Sequence, residues 1–161
     1  MAIREVMLED EEVLRKKCKD VKEINEKILT LLDDMAETMY EKQGVGLAAP
    51  QVGILRKVVV IDIGDGLIEL INPVILETSG EVTDNEGCLS VPGKCAKVKR
   101  PKYCKVEALD RNGEKITVEG EDLLARALTH ELDHLNGILY TDIMIEGTFC
   151  DVESLEEEEE E

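Results

Sequence analysis

Apolar residues recur at helical spacing early in the chain, at Ile24, Ile28, Leu31, Leu32, Met35 and Met39. Residues three and four apart share a helix face, so this run predicts an amphipathic helix over Ile24–Glu41 with ordinary core positions along its stripe. It stops before Gly44-Val45-Gly46, where glycines permit a turn and a close approach of two backbones. Lys57–Ile63 is β-branched and reads as a buried strand. Gly64-Asp65-Gly66 turns the chain, Leu67–Ile71 returns as a second strand, and Asn72-Pro73 is expected to end it. Val74–Gly80 and Glu86–Val91 read as further short strands. Val98–Leu109 and Glu114–Val118 pair across Asp110-Arg111-Asn112-Gly113, a segment rich in turn formers. Leu123, Leu124, Ala127, Leu128, Leu132 and Leu135 then restore helical spacing. This second helix starts near Asp122, and Asn136-Gly137 stops it. Residues 1–20 read as an extended arm or short strand. The order predicts an α+β domain: antiparallel strands packed around the C-terminal helix, with an N-terminal helix beside them.

Composition sharpens this picture at the edges. With 161 residues, 43% of them hydrophobic and 35% charged, the chain suits one soluble domain with a real core. No apolar run approaches the roughly 20 residues of a membrane span. The first residues lack the layout of a signal peptide, so cytoplasm is the expected location and no membrane partner is expected. Nineteen basic against 37 acidic residues give a net charge of −18. Asp151, Glu153 and Glu156 to Glu161 supply eight of those acids. The expected organisation is one catalytic domain over residues 1–147 and an acidic, disordered tail over 148–161. So acidic a chain argues against direct nucleic-acid recognition. The basic positions from Lys94 to Lys105 read as the solvated side of a strand pair.

Candidate chemistry comes from the second helix. The only two histidines both lie in His130-Glu131-Leu132-Asp133-His134. Four residues apart on a buried face, both imidazoles can reach one metal ion, and Glu131 stands beside them, near enough to move a proton of a water there. A catalytic site of this kind needs a third protein ligand. Tyr140 occupies the place where one protease class has a third histidine. After His134 only Glu146, Glu153 and the acidic tail remain, so a third ligand is expected upstream. There Cys88, in Glu86-Gly87-Cys88-Leu89-Ser90, offers a thiolate that suits Zn²⁺ or Fe²⁺, although a free cysteine is most often a small core residue. Cys18, Cys95, Cys104 and Cys150 read as such core residues, and an odd count with no Cys-x-x-Cys pair argues against a disulfide framework.

Three segments together carry a family resemblance. Gly44-Val45-Gly46-Leu47-Ala48-Ala49-Pro50-Gln51, Glu86-Gly87-Cys88-Leu89-Ser90 and His130-Glu131-Leu132-Asp133-His134-Leu135 resemble the three motifs of peptide deformylases, in the family's order and spacing. The likeness covers roughly residues 3–145. It implies removal of the formyl group from the N-terminal formylmethionine of new polypeptides, with release of formate. It implies Cys88, His130 and His134 as metal ligands and Glu131 as general base and then acid. The Leu89 backbone N–H and the Gln51 side-chain amide would form the oxyanion hole. The implied metal is one divalent ion, Fe²⁺ natively, with Zn²⁺, Ni²⁺ or Co²⁺ accepted. Gly44, Val45, Gly46 and Gly87 would flank an extended N-formylmethionyl peptide, and Val45, Leu123, Ala127 and Leu128 would wall the methionine pocket. Glu86 and Arg100 are expected to pair beside the site, with Asp133 turned away from the metal.

Three departures from the family pattern stand out. Thr129 replaces the usual glutamine before the first histidine. Cys95 replaces an arginine or aromatic. The tail is acidic where many members carry a basic helix that docks on the ribosome, so any ribosome association would be transient and made without that helix. The alternative reading, a zinc-dependent endopeptidase, needs a ligand after His134.

Overall fold

The computed structural model describes residues 2–153. Its first helix, α1 (Glu26–Glu41), begins two residues later than the apolar pattern suggests, because Asn25 caps it by accepting the Ile28 N–H at 3.2 Å. Seven strands follow in two antiparallel sheets: β1 (Gly46–Ala48), β2 (Val58–Ile61), β3 (Ile68–Ser79), β4 (Val82–Cys88), β5 (Val91–Arg100), β6 (Tyr103–Leu109) and β7 (Lys115–Glu121). Helix α2 (Leu123–His134), a short α3 (Tyr140–Ile143) and strand β8 (Cys150–Asp151) complete the order.

The larger sheet has the order β1-β2-β3-β6-β7 and lies between the two long helices. Strand alternation explains how both of its faces are buried. Val58 and Val60 pack with Leu31, Leu32, Met35 and Met39 of α1. Val59 and Ile61 turn the other way, onto Ala125, Leu128 and Leu132 of α2. The smaller sheet, β4-β5-β8, packs Val91, Ala96 and Val98 against Tyr140 of α3.

Several expected boundaries move. Asn72-Pro73 does not end β3. The pairing with β6 shifts register between Ile71 and Val74, and Pro73 sits in that bulge, where its missing N–H breaks no ladder bond. Asn72 takes a positive φ of 53° and bonds both Val21 backbone groups through its side chain. Val98–Leu109 is not one strand either. Pro101 follows β5, and the chain crosses to the other sheet before β6 starts at Tyr103. The arm before residue 20 is a one-turn 3-10 segment at Glu12–Arg15 plus a single bridge from Lys19 to Arg56. It runs beside the later motifs: the Met7 N–H donates to the Gln51 carbonyl and the Glu9 N–H to that of Ser90.

The C-terminal boundary also needs correction. Order continues past residue 147, because Cys150 and Asp151 pair with Cys95 and Lys94, and Lys94 forms an ion pair with Asp151. The acidic run from 154 to 161 lies outside the described residues. No helix among the described residues is long and apolar enough to cross a membrane.

Candidate metal centre

Helix α2 positions two of the candidate ligands. It ends at His134, and three residues on Gly137 takes φ 77°, a conformation that favours glycine; a Cβ there would also lie 2.5 Å from the Arg15 carbonyl oxygen. One turn apart on its buried face, His130 and His134 bring their Nε2 atoms to 3.2 Å. Cys88 ends β4, just before the Leu89-Ser90 reversal into β5, and its Sγ lies 3.4 Å from His134 Nε2. The three donor atoms lie within 4.8 Å of one another. One thiolate and two imidazoles so close, two of them buried, form the donor set of a borderline-soft divalent ion such as Zn²⁺ or Fe²⁺. The residues therefore fit a metal.

A buried charge cluster orients His130. Its Nδ1 meets Glu86 Oε2 at 2.6 Å, which directs the lone pair of Nε2 towards the other donors. Glu86 accepts two bonds from Arg100, at 3.0 and 2.6 Å, and one from Arg126 at 2.9 Å. Arg100 also reaches Asp133 at 2.7 Å, and Arg126 donates to the carbonyls of Val98 and Val82. Burial works against the charge of Glu86, but the bonds from His130 and Arg100 outweigh it and hold its carboxyl down at about 2. Burial likewise opposes a proton on His130, yet Glu131, Cys88 and Glu86 keep that imidazole well above the usual range. Burial, with the charge of His130 beside it, holds His134 well below.

The first motif closes the site from the other side. Gln51 is buried in the 3-10 turn Ala49–Val52; its Oε1 accepts the Ala48 N–H at 3.0 Å. Its Nε2 therefore points outward, donating to Ser90 Oγ at 3.1 Å and to Cys88 Sγ at 3.5 Å. Glu131 is 4% exposed, its Oε2 is 3.9 Å from His130 Nε2, and its Oε1 has no partner among the described residues. Burial raises its carboxyl to about 7. Gly46 makes room for it: a Cβ there would fall 2.5 Å from Glu131 Oε2.

A cleft of about 920 Å³ opens over these groups. Gly44, Val45, Gly46, Gln51, Gly87, Cys88, Leu89, Leu123, Ala127, His130 and Glu131 all line it. Leu128 does not: it is fully buried among Val59, Leu70 and Leu132 in the core beneath. Its helical position turns it away from Leu123 and Ala127 and towards the sheet. His134 supplies its nitrogen from behind the cleft. Sequence reasoning missed Arg126, although it lies four residues before His130 and hence on the same helix face. It also missed Ser90, the arm residues Ile3, Val6 and Leu8, and Val152, all but Ser90 lining the cleft; no local pattern marks the last four.

Comparison with known proteins gives one consistent result. The family described as polypeptide deformylase matches residues 3–148. A peptide deformylase of Acetivibrio thermocellus is 61% identical over 160 residues, covering 99% of this chain and 93% of that protein. One from Thermoanaerobacter pseudethanolicus is 59% identical over 160 residues, 99% of either chain. Among solved structures, a peptide deformylase from Legionella pneumophila superposes with a TM-score of 0.87 at 44% identity, covering 89% of this chain and 87% of that one.

Proposed function

The chain belongs to the polypeptide deformylase family, an enzyme that hydrolyses the N-formyl group of new polypeptides, and we propose that Cys88, His130 and His134 hold its metal while Glu131 moves the protons. The observation that carries this assignment is the convergence of those three donors, with the carboxyl of Glu131 buried alongside. The endopeptidase alternative is not favoured, since the third donor lies upstream of the helix rather than after it.

When bound, the divalent ion supplies a Lewis acid that makes a water acidic enough to attack near neutral pH and polarises the formyl carbonyl. Fe²⁺ is the proposed native ion, with Zn²⁺, Ni²⁺ or Co²⁺ as substitutes for the same donors. Glu131 takes a proton from the attacking water. Its carboxyl is buried beside the three donors with Oε1 unpartnered among the described residues, so it is placed to accept that proton and return it. It then delivers that proton to the leaving amine nitrogen as the carbon–nitrogen bond breaks, giving formate and a free N-terminus. The Gln51 amide and the Leu89 backbone N–H hold the negative charge that develops on the formyl oxygen; a single donor of this kind is typically worth about 3 kcal/mol.

The peptide runs through the cleft as an added strand. β1 is the edge of one sheet and β4 the edge of the other, so Gly44–Gly46 and Gly87–Leu89 offer backbone from both sides. Val45, Leu123 and Ala127, with the aliphatic stem of Arg126, wall the methionine side chain. We place the enzyme in the cytoplasm, meeting nascent chains through transient ribosome contact.

A substrate panel tests this reading. Formyl-Met peptides should release formate much faster than acetyl-Met peptides release acetate, and internal peptide bonds should survive. Cleavage of a blocked internal peptide at a comparable rate would overturn it.

A further inference from the structure

Cys95 and Cys150 face each other across β5 and β8, at directly opposed positions, with their Sγ atoms 3.8 Å apart. Directly opposed Cα atoms in antiparallel strands lie roughly 4.5–5.5 Å apart, inside the roughly 4.4–6.8 Å that a disulfide spans. Small side-chain rotations therefore suffice to join them. The Lys94–Asp151 ion pair, one step along the same ladder, holds the register. Both strands lead to the cleft: Lys94 and Val152 line it. Cys150 also lies beyond residues 3–148, the stretch that the polypeptide deformylase family matches.

We propose that Cys95 and Cys150 form a dithiol site that low-molecular-weight disulfides oxidise to a cross-strand bridge, stapling β8 to the wall of the cleft. The chemistry is thiol–disulfide exchange. The Cys150 thiolate attacks one sulfur of the small disulfide, forming a mixed disulfide and expelling one small thiol. The Cys95 sulfur, having lost its proton to solvent, attacks Cys150 Sγ and expels the second. Two protein thiols are oxidised, one small disulfide is reduced to two thiols, and no other reagent is needed. The order follows from access. Cys95 is 5% exposed and Cys150 half-buried, and burial, with the Cys150 contact, pushes the Cys95 thiol up.

The test uses the metal-loaded full chain with oxidised glutathione at about pH 8, where free thiols begin to ionise. After alkylation, peptide mapping by mass spectrometry should find a Cys95–Cys150 link, no retained glutathione and three alkylated cysteines of the five. The link closes a long loop in the unfolded chain, so Tm should rise by roughly 5–10 °C over the reduced protein. In Cys95→Ser, glutathione should stay on Cys150 and the rise should vanish. In Cys150→Ser, on a half-buried strand end, neither link nor rise should form. The proposal is overturned if both cysteines of the unsubstituted chain remain alkylatable. It is equally overturned if Cys150 keeps its glutathione while Cys95 stays free.

Discussion

His130 and His134 stand one turn apart on α2, yet their outer nitrogens meet opposite surroundings. His130 Nδ1 is braced by Glu86, which two arginines hold in turn. His134 Nδ1 has no partner among the described residues, and neither does Glu131 Oε1. Buried polar atoms are almost always paired, so an orphaned one asks for a reason. On the braced side every group is fixed, as a ligand's orientation requires. On the other side, Glu131 keeps an oxygen free, as a group that must take up and release a proton requires. The contrast sets the braced imidazole of His130 against Glu131, its neighbour in the chain and the proposed proton carrier, whereas His134 is a proposed ligand without such a brace.

The unbraced side should show the largest effect on rate. Glu131→Gln keeps the shape and loses the proton carrier. Its kcat for a formyl-Met peptide should fall on the order of 10²–10⁴-fold, while metal content by atomic absorption stays near one ion per chain. Loss of the ion together with activity would place Glu131 on the holding side.

Next comes the space that Gly46 leaves for that carboxyl. Gly46→Ala puts a methyl group 2.5 Å from Glu131 Oε2. Misplacing a catalytic group by an ångström can cost about 10²-fold, so a fall of about that size in kcat, with metal retained, is the expected outcome. Unchanged kinetics would mean that Glu131 can act from elsewhere.

The braced side should respond in affinity and in pH dependence. Glu86→Gln should weaken metal binding by about 10–100-fold, read by competition with a chelator. The two carboxyls also predict opposite pH effects on the metal-free chain. Glu86 is held at about 2 when folded against an ordinary 4.5, so the unfolded chain binds more protons between those values. Its stabilisation is full above pH 4.5 and fades as pH falls towards 2. Glu131 is raised from 4.5 to about 7, so its contribution is full below pH 4.5 and is lost as pH rises through 7. In chemical denaturation, the deficit of Glu86→Gln against the unsubstituted chain should therefore close in acid, whereas Glu131→Gln should gain on it between pH 4.5 and 7.

The smallest effect belongs to the tail. Deleting residues 154–161 removes six glutamates and none of the site residues named above. Turnover of short formyl-Met peptides should change by less than about twofold. A larger loss in a steady-state assay would show that the acidic run reaches the cleft.

What the sequence revealed follows the same division. The helices were legible because apolar spacing repeats over several turns, and the β6–β7 turn because Asp110-Arg111-Asn112-Gly113 is a local signal. The meeting of His130 and His134 was legible in their four-residue spacing, and that of Cys88 with them was expected through the family resemblance. The bulge that lets β3 run on through Pro73 depends on Asn72 meeting the Val21 backbone, 51 residues away in the chain. The placement of Leu128 in the core, and of Arg126 against Glu86, depends on how α2 is rotated over two sheets. The Cys95–Cys150 contact depends on a two-residue strand with no pattern of its own. Long-range pairing decides each of these, and single-residue preferences do not report it.

The most direct test of the central claim is metal titration of formate release. The chain and its Cys88→Ala variant are stripped of metal under anaerobic conditions, then reloaded with increasing Fe²⁺ or Zn²⁺. Formate from a formyl-Met peptide and bound ion are measured on the same samples. Turnover should rise in proportion to bound ion and saturate at about one per chain, while Cys88→Ala should bind little and stay on the order of 10³-fold less active. Full turnover by the stripped chain, or full binding and turnover by Cys88→Ala, would contradict a Cys88/His130/His134 metal centre.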